Sequence, residues 1–212
     1  MPELLMIPNF VSKEDCRNLV ACYEANKALA LNTPQEFWNG RPLYFESIPE
    51  SHRDMKLRIH AIAFNQVPLI TKHFNHPKQI FPETVNLVIW PPGYEMTPHI
   101  DNAHLDGTSN GMDWRTFSAV VYINDDYEGG EIYFPRINET IKPTCGLLVA
   151  FSSGARHMHG VRGVRKGIRY TLPIWFTDRP DKANVAMANY LTIGCGGSAP
   201  NLGLWEARTS LT

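Results

Sequence analysis

The chain has 212 residues, 43% of them hydrophobic and 19% charged, with a formal net charge of -1. That length supports one sizeable core, the composition is ordinary for a globular domain rather than a disordered one, and the balanced charge gives no global pull toward nucleic acid. The first residues lack a basic stretch followed by a long apolar one, no apolar run reaches the roughly 18 residues of a membrane span, and Cys16, Cys22, Cys145 and Cys195 show no CxxC spacing. The expectation is a cytoplasmic chain with reduced thiols and no membrane contact.

Leu4 to Ile7 reads as a short strand, and Ser12 with Asp15 three residues on reads as the start of a helix. Cys16, Leu19, Val20 and Tyr23 then fall at helical spacing. Residues 32–48 combine Pro and Gly with Trp38 and Tyr44 in what reads as a loop, and aromatic loops often line binding sites. From Ser51 to Phe74 the stripe Met55, Ile59, Ile62, Gln66, Ile70 predicts a long helix, kinked or broken at Pro68. His52, His60, His73 and His76 lack partners at metal-binding spacing and read as surface or satisfied histidines.

After Pro82 the texture changes to short β-rich runs: Val85 to Trp90, Phe117 to Ile123, Glu131 to Phe134, Gly146 to Phe151 and Gly167 to Phe176. Helices followed by many short strands predict an α+β domain ending in a jelly roll or related two-sheet barrel. The expected division is one domain over 1–212, with helical support to residue 80, a β core over 81–180, and a tail or lid over 181–212.

Two stretches carry chemistry. On an extended strand His99 and Asp101 project to one face with Ile100 behind them, so both can reach one ion. A third ligand is needed, and two imidazoles with one carboxylate and open positions suit a non-haem Fe(II) oxygenase. In Gly167 to Phe176, Arg169, Thr171, Pro173 and Trp175 alternate onto one face. A guanidinium inside a barrel needs a carboxylate, and where no protein acid serves, a ligand can supply it. Thr171 and Tyr122 could add hydroxyl donors.

These residues, with Trp90-Pro91-Pro92-Gly93, Tyr122-Ile123-Asn124, Gly129-Gly130-Glu131 and His159-Gly160-Val161, together resemble the Fe(II)- and 2-oxoglutarate-dependent dioxygenases, in particular the prolyl 4-hydroxylase-like branch. The resemblance runs from about Val85 to Phe176. It implies a double-stranded β-helix of two antiparallel sheets backed by N-terminal helices. It also implies His99, Asp101 and His159 as iron ligands, and Arg169 and Tyr122, with Thr171, on the distal carboxylate of 2-oxoglutarate. His157 competes with His159 for the third position if the segment is extended. The spacing to Arg169 in the family pattern selects His159 and leaves His157 to the surroundings or the substrate.

The implied reaction uses O2 and 2-oxoglutarate, releases succinate and CO2, and hydroxylates an unactivated C–H bond, with ascorbate a possible reductant. The expected target is an amino acid side chain, free or in a peptide, prolyl by analogy with the branch. Trp38, Tyr44, Trp114, Arg156 and His157 are the candidate substrate contacts. The competing readings are a nucleic-acid or small-metabolite oxygenase with the same iron site, and a non-catalytic β-barrel binding module.

Overall fold

The computed structural model describes residues 3–31 and 41–194. Its larger sheet joins β1 (Leu5–Ile7), β9 (Leu148–Ser152), β5 (Arg115–Tyr122), β12 (Arg169–Thr177), β3 (Phe81–Trp90) and β2 (Arg41–Tyr44), in that order. A smaller sheet joins β4 (Met96–His99), β10 (His159–Val161), β7 (Ile132–Phe134) and β8 (Glu139–Ile141), and a two-stranded ribbon joins β11 (Val164–Lys166) to β6 (Glu128–Gly129). All pairings are antiparallel.

Alternation along the strands sorts the larger sheet into two faces. Leu87, Ile89, Val121, Leu172 and Ile174 bury against the helices α1 (Lys13–Asn26) and α2 (Arg53–His73) in one apolar cluster. Each large aliphatic side chain taken from water there contributes about 1.5–3 kcal/mol. The opposite face carries Val88 and Trp90, which pack with Met96 and Val161, and Tyr122, Val149 and Phe151, which pack with Ile132 and Phe134. The smaller sheet therefore closes over the inner face of the larger one. The α+β, jelly-roll expectation is met, with the helices on the outside.

Local chemistry explains the element boundaries. The Ser12 hydroxyl accepts from the Asp15 amide at 3.0 Å and starts α1. The Asp15 carboxylate instead pairs with Arg58 on α2, tying the two helices together. Helix α2 runs uninterrupted through Pro68, so the expected break does not occur; the buried Ile59, Ile62, Gln66 and Ile70 on both sides of it hold the helix to the sheet. Residues 41–44 of the expected loop form β2 at the sheet edge, where Pro42 is tolerated because an edge strand pairs on one side only. The expected tail begins with α3 (Val185–Gly194), which packs against α2. No helix among the described residues is long and apolar enough to cross a membrane. Cys16, Cys22 and Cys145 are free thiols, and Cys195 lies outside the described residues.

Candidate metal centre and carboxylate pocket

His99 ends β4 and His159 begins β10, and the two are direct cross-strand partners. Opposed residues on adjacent antiparallel strands bring their side chains together, and here the ring centroids are 4.3 Å apart. Strand β4 stops at His99, so Asp101 sits in the bend just beyond it rather than on the strand, with Ile100 buried behind as expected. Gly160 keeps β10 close to its neighbours: a Cβ there would meet the Tyr133 ring at 2.7 Å and the Met96 carbonyl at 2.8 Å.

One ligand atom each from His99, Asp101 and His159 lie within 4.8 Å of one another. His99 Nε2 is 3.5 Å from Asp101 Oδ1, and His159 Nε2 is 3.9 Å from Asp101 Oδ2. The other ring nitrogens are fixed by the backbone. His99 Nδ1 is 3.1 Å from the Thr97 carbonyl and His159 Nδ1 is 2.9 Å from the His157 carbonyl. A carbonyl only accepts, so each Nδ1 carries the proton and each Nε2 turns its lone pair inward, the tautomer a metal requires.

Asp101 is held ionised. Burial alone would raise its carboxyl, but the two imidazoles and the Ser118 hydroxyl hold it well below the usual carboxylate range. Ser118 Oγ donates to Asp101 Oδ2 at 2.6 Å and stands 2.8 Å from Ser153 Oγ. Burial, helped by neighbouring His99 and opposed by Asp101, brings His159 down to about 4, so its imidazole is neutral at physiological pH. Two imidazoles that turn Nε2 inward and one carboxylate suit a divalent iron.

The same cavity is walled by Trp90, Val120, Ile132, Phe151, Pro173 and Trp175, and Arg169 and Thr171 also line it. Arg169 is 2% exposed and lies 5.3 Å from the ring centroids of both Trp90 and Tyr122. No carboxylate among the described residues pairs with it. Its Nε, the Tyr122 hydroxyl and the Tyr127 hydroxyl are buried with no hydrogen-bond partner among the described residues. Burial pushes the Tyr122 phenol well above its ordinary value against the pull of Arg169, so it is a donor. Thr171 Oγ1 accepts from Trp90 Nε1 at 3.3 Å and keeps its own proton to give. Stranded donors around one cation fit the end of a carboxylate ligand.

The substrate-side expectations fare differently. His157 lies in a 3-10 turn, not on a strand, and so does not share a face with His159. Its Nδ1 is 2.6 Å from Ser152 Oγ and its Nε2 faces Glu3, so its contribution to the site is the carbonyl that orients His159. Arg156 pairs with Glu3 at the surface, Trp114 lies under Lys182, and Tyr44 is on the edge strand β2; none of the three lines the cavity. Trp38 lies outside the described residues. Sequence reasoning missed Ser118, Ser153 and Tyr127. Ser118 was open to detection, since it shares a strand face with Val120 and Tyr122 and a small hydroxyl there must find a buried partner.

The double-stranded β-helix brings together two histidines from adjoining short strands and a carboxylate from the bend after the first, beside a buried arginine, a group that could hold one metal ion next to a pocket suited to a carboxylate. Residues 84–177, which hold both sites, match the model of the 2OG-Fe(II) oxygenase superfamily. Among curated proteins, prolyl 3-hydroxylase 2 of Homo sapiens is 40% identical over 94 residues, covering 39% of this chain and 13% of the relative. Prolyl 3-hydroxylase 3 of Mus musculus is 38% identical over 96 residues, with 39% and 13% covered. The chain thus spans a small part of these relatives' length. Among solved structures, a Pseudomonas putida prolyl-4-hydroxylase superposes with a TM-score of 0.65 at 22% identity, covering 84% of this chain and 93% of that one. A viral collagen prolyl hydroxylase from Paramecium Bursaria Chlorella virus-1, in its 2OG complex, gives 0.63 at 20%, with 82% and 96% covered. These likenesses show the shared fold.

Proposed function

We propose that the chain is an Fe(II)- and 2-oxoglutarate-dependent dioxygenase that hydroxylates a C–H bond of an amino acid side chain, with a prolyl residue in a peptide as the favoured substrate. The observation that carries the reading is the placement of His99, Asp101 and His159 in one cavity with an unpaired Arg169. When bound, iron and 2-oxoglutarate together supply the oxidation by O2 and release succinate and CO2. The chain's own residues do the rest. His99, Asp101 and His159 would hold the metal, and Ser118 donates to Asp101 and aims its carboxylate. Arg169, Tyr122 and Thr171 orient the distal carboxylate, and the apolar wall keeps water from the reacting centre.

The preference for a prolyl ring follows from that wall. Pro173, Trp175, Val120 and Ile132 offer an apolar surface suited to a saturated ring and no second charge for a free amino acid's zwitterion. The 94-residue similarity to prolyl 3-hydroxylase 2 supports the same choice. We take residues 1–212 to act as one domain, the helices serving to stiffen the sheet that carries Arg169.

The test is incubation with Fe(II), 2-oxoglutarate and O2 against proline-containing peptides and free proline. The expected product is a peptide heavier by one oxygen, with stoichiometric succinate, and none from His159→Ala or Asp101→Ala. Hydroxylation of free proline alone would move the substrate to the amino acid; oxidation of neither would reject the prolyl reading.

A further inference from the structure

Among the buried donors to which no role has been given is the Tyr127 hydroxyl. Tyr127 follows β5 in the turn that leads to Gly129-Gly130. Its ring is partly exposed, but its hydroxyl oxygen is buried and has no hydrogen-bond partner among the described residues. Gly130 shows where that hydroxyl lies. A Cβ at Gly130 would meet Arg169 Cδ at 2.8 Å and Tyr127 Cε2 at 3.0 Å, so the two side chains converge over the glycine, whose φ of +69° also disfavours any other residue. Cε2 is adjacent to the carbon that bears the hydroxyl. The phenolic end of Tyr127 and the Arg169 guanidinium therefore share one space, which Tyr122 enters from β5 with its own unpartnered hydroxyl.

Leaving a buried donor unmade is unfavourable, and two stranded hydroxyls beside the Arg169 guanidinium, whose own Nε is also unpartnered, are not explained by packing alone. A carboxylate has two oxygens and roughly four acceptor sites, enough for a guanidinium and two hydroxyls together. Burial, with Asp125 and Glu131 nearby and despite Arg169, holds the Tyr127 phenol above its ordinary value, so it donates and does not compete as an anion. Tyr127 also lines a separate outward pocket with Glu128, Lys142 and Arg165, which places it between solvent and the guanidinium.

We propose that Tyr127 is a third donor to the distal carboxylate of the cosubstrate, beside Arg169 and Tyr122, and that it strengthens the preference for a 2-oxo acid bearing a second carboxylate. The proposal rests on the 2-oxoglutarate reading above. The experiment is calorimetric binding to the Fe(II)-loaded protein without O2, using 2-oxoglutarate and 2-oxopentanoate, which has a methyl group where the distal carboxylate would be. Tyr127→Phe keeps the ring and removes only the hydroxyl.

The expected result is about tenfold or greater weakening of 2-oxoglutarate binding in Tyr127→Phe, with 2-oxopentanoate binding unchanged. Reading the ratio of the two ligands within each protein cancels any loss of folded material. Equal ratios in wild type and Tyr127→Phe, where Arg169→Gln lowers the ratio, would overturn the role of Tyr127 alone. A wild type that does not favour 2-oxoglutarate over 2-oxopentanoate would overturn the carboxylate pocket, and Tyr127 with it.

Discussion

At the scale of the residue, polar atoms that look redundant in sequence fix the states of the side chains that converge on the cavity. The Thr97 and His157 carbonyls set the histidine tautomers, and Ser118 sets the Asp101 carboxylate. Ser118→Ala is expected to weaken Fe(II) affinity about 10–100-fold while the protein stays folded, since groups that orient a ligand typically contribute that much. Metal titration of the two proteins, with circular dichroism as the folding control, checks it; unchanged affinity would make Ser118 a packing residue. The convergence of His99, Asp101, His159 and Arg169 on one cavity was legible because imidazoles, a carboxylate and a buried cation carry their chemistry in their side chains. The tautomer-setting atoms were not, because they belong to the backbone, where residue type leaves no trace. The placement of the aromatic and basic candidates was not legible for the reverse reason: Trp114 and Arg156 have conspicuous side chains, but local partners hold them away from the cavity lining.

At the scale of the element, long periodic segments were legible and short ones were not. Helices α1 and α2 and strands β3, β5 and β12 repeat their pattern often enough to declare themselves. Strands β6 and β8, at two and three residues, show no period, and their pairing is set by neighbours brought close by the larger sheet. The reading of residues 41–44 as loop followed Pro42, which an edge strand accommodates. Helix α1 supports the outer face of the sheet, and its start depends on Ser12. Ser12→Ala should lower global stability by about 1 kcal/mol in denaturant unfolding while leaving the ratio of cosubstrate affinities intact. A shift in that ratio would mean that α1 reaches the site, which its position on the outer face does not allow.

At the scale of the whole molecule, the sheets define the cavity while a second layer of helices closes the outside, and titration at that outer layer gives a stability signature separate from the metal. His60 is 6% exposed, stacks on Phe64 with centroids 4.4 Å apart, and faces Tyr190 and the α3 backbone, with Lys56 also against Tyr190. Burial lowers its imidazole below the ordinary 6.5. A base with a depressed folded value binds fewer protons folded than unfolded, so its stability contribution is complete above about 6.5 and falls as pH drops below it. Urea unfolding of the metal-free protein at pH 7.5 and 5.5 should therefore show lower stability at 5.5, with a smaller difference in His60→Phe. An equal difference in the variant would assign the pH dependence elsewhere.

The measurement that bears most directly on the site is an anaerobic titration with Fe(II) followed by 2-oxoglutarate, reading the visible charge-transfer absorption of a 2-oxo acid on ferrous iron. Equimolar iron and 2-oxoglutarate should bind, with the absorption lost in His159→Ala and displaced to higher 2-oxoglutarate concentration in Arg169→Gln. Stoichiometric iron retained by His159→Ala, or 2-oxoglutarate affinity unchanged in Arg169→Gln, would contradict the assignment of His99, Asp101, His159 and Arg169 to one catalytic centre.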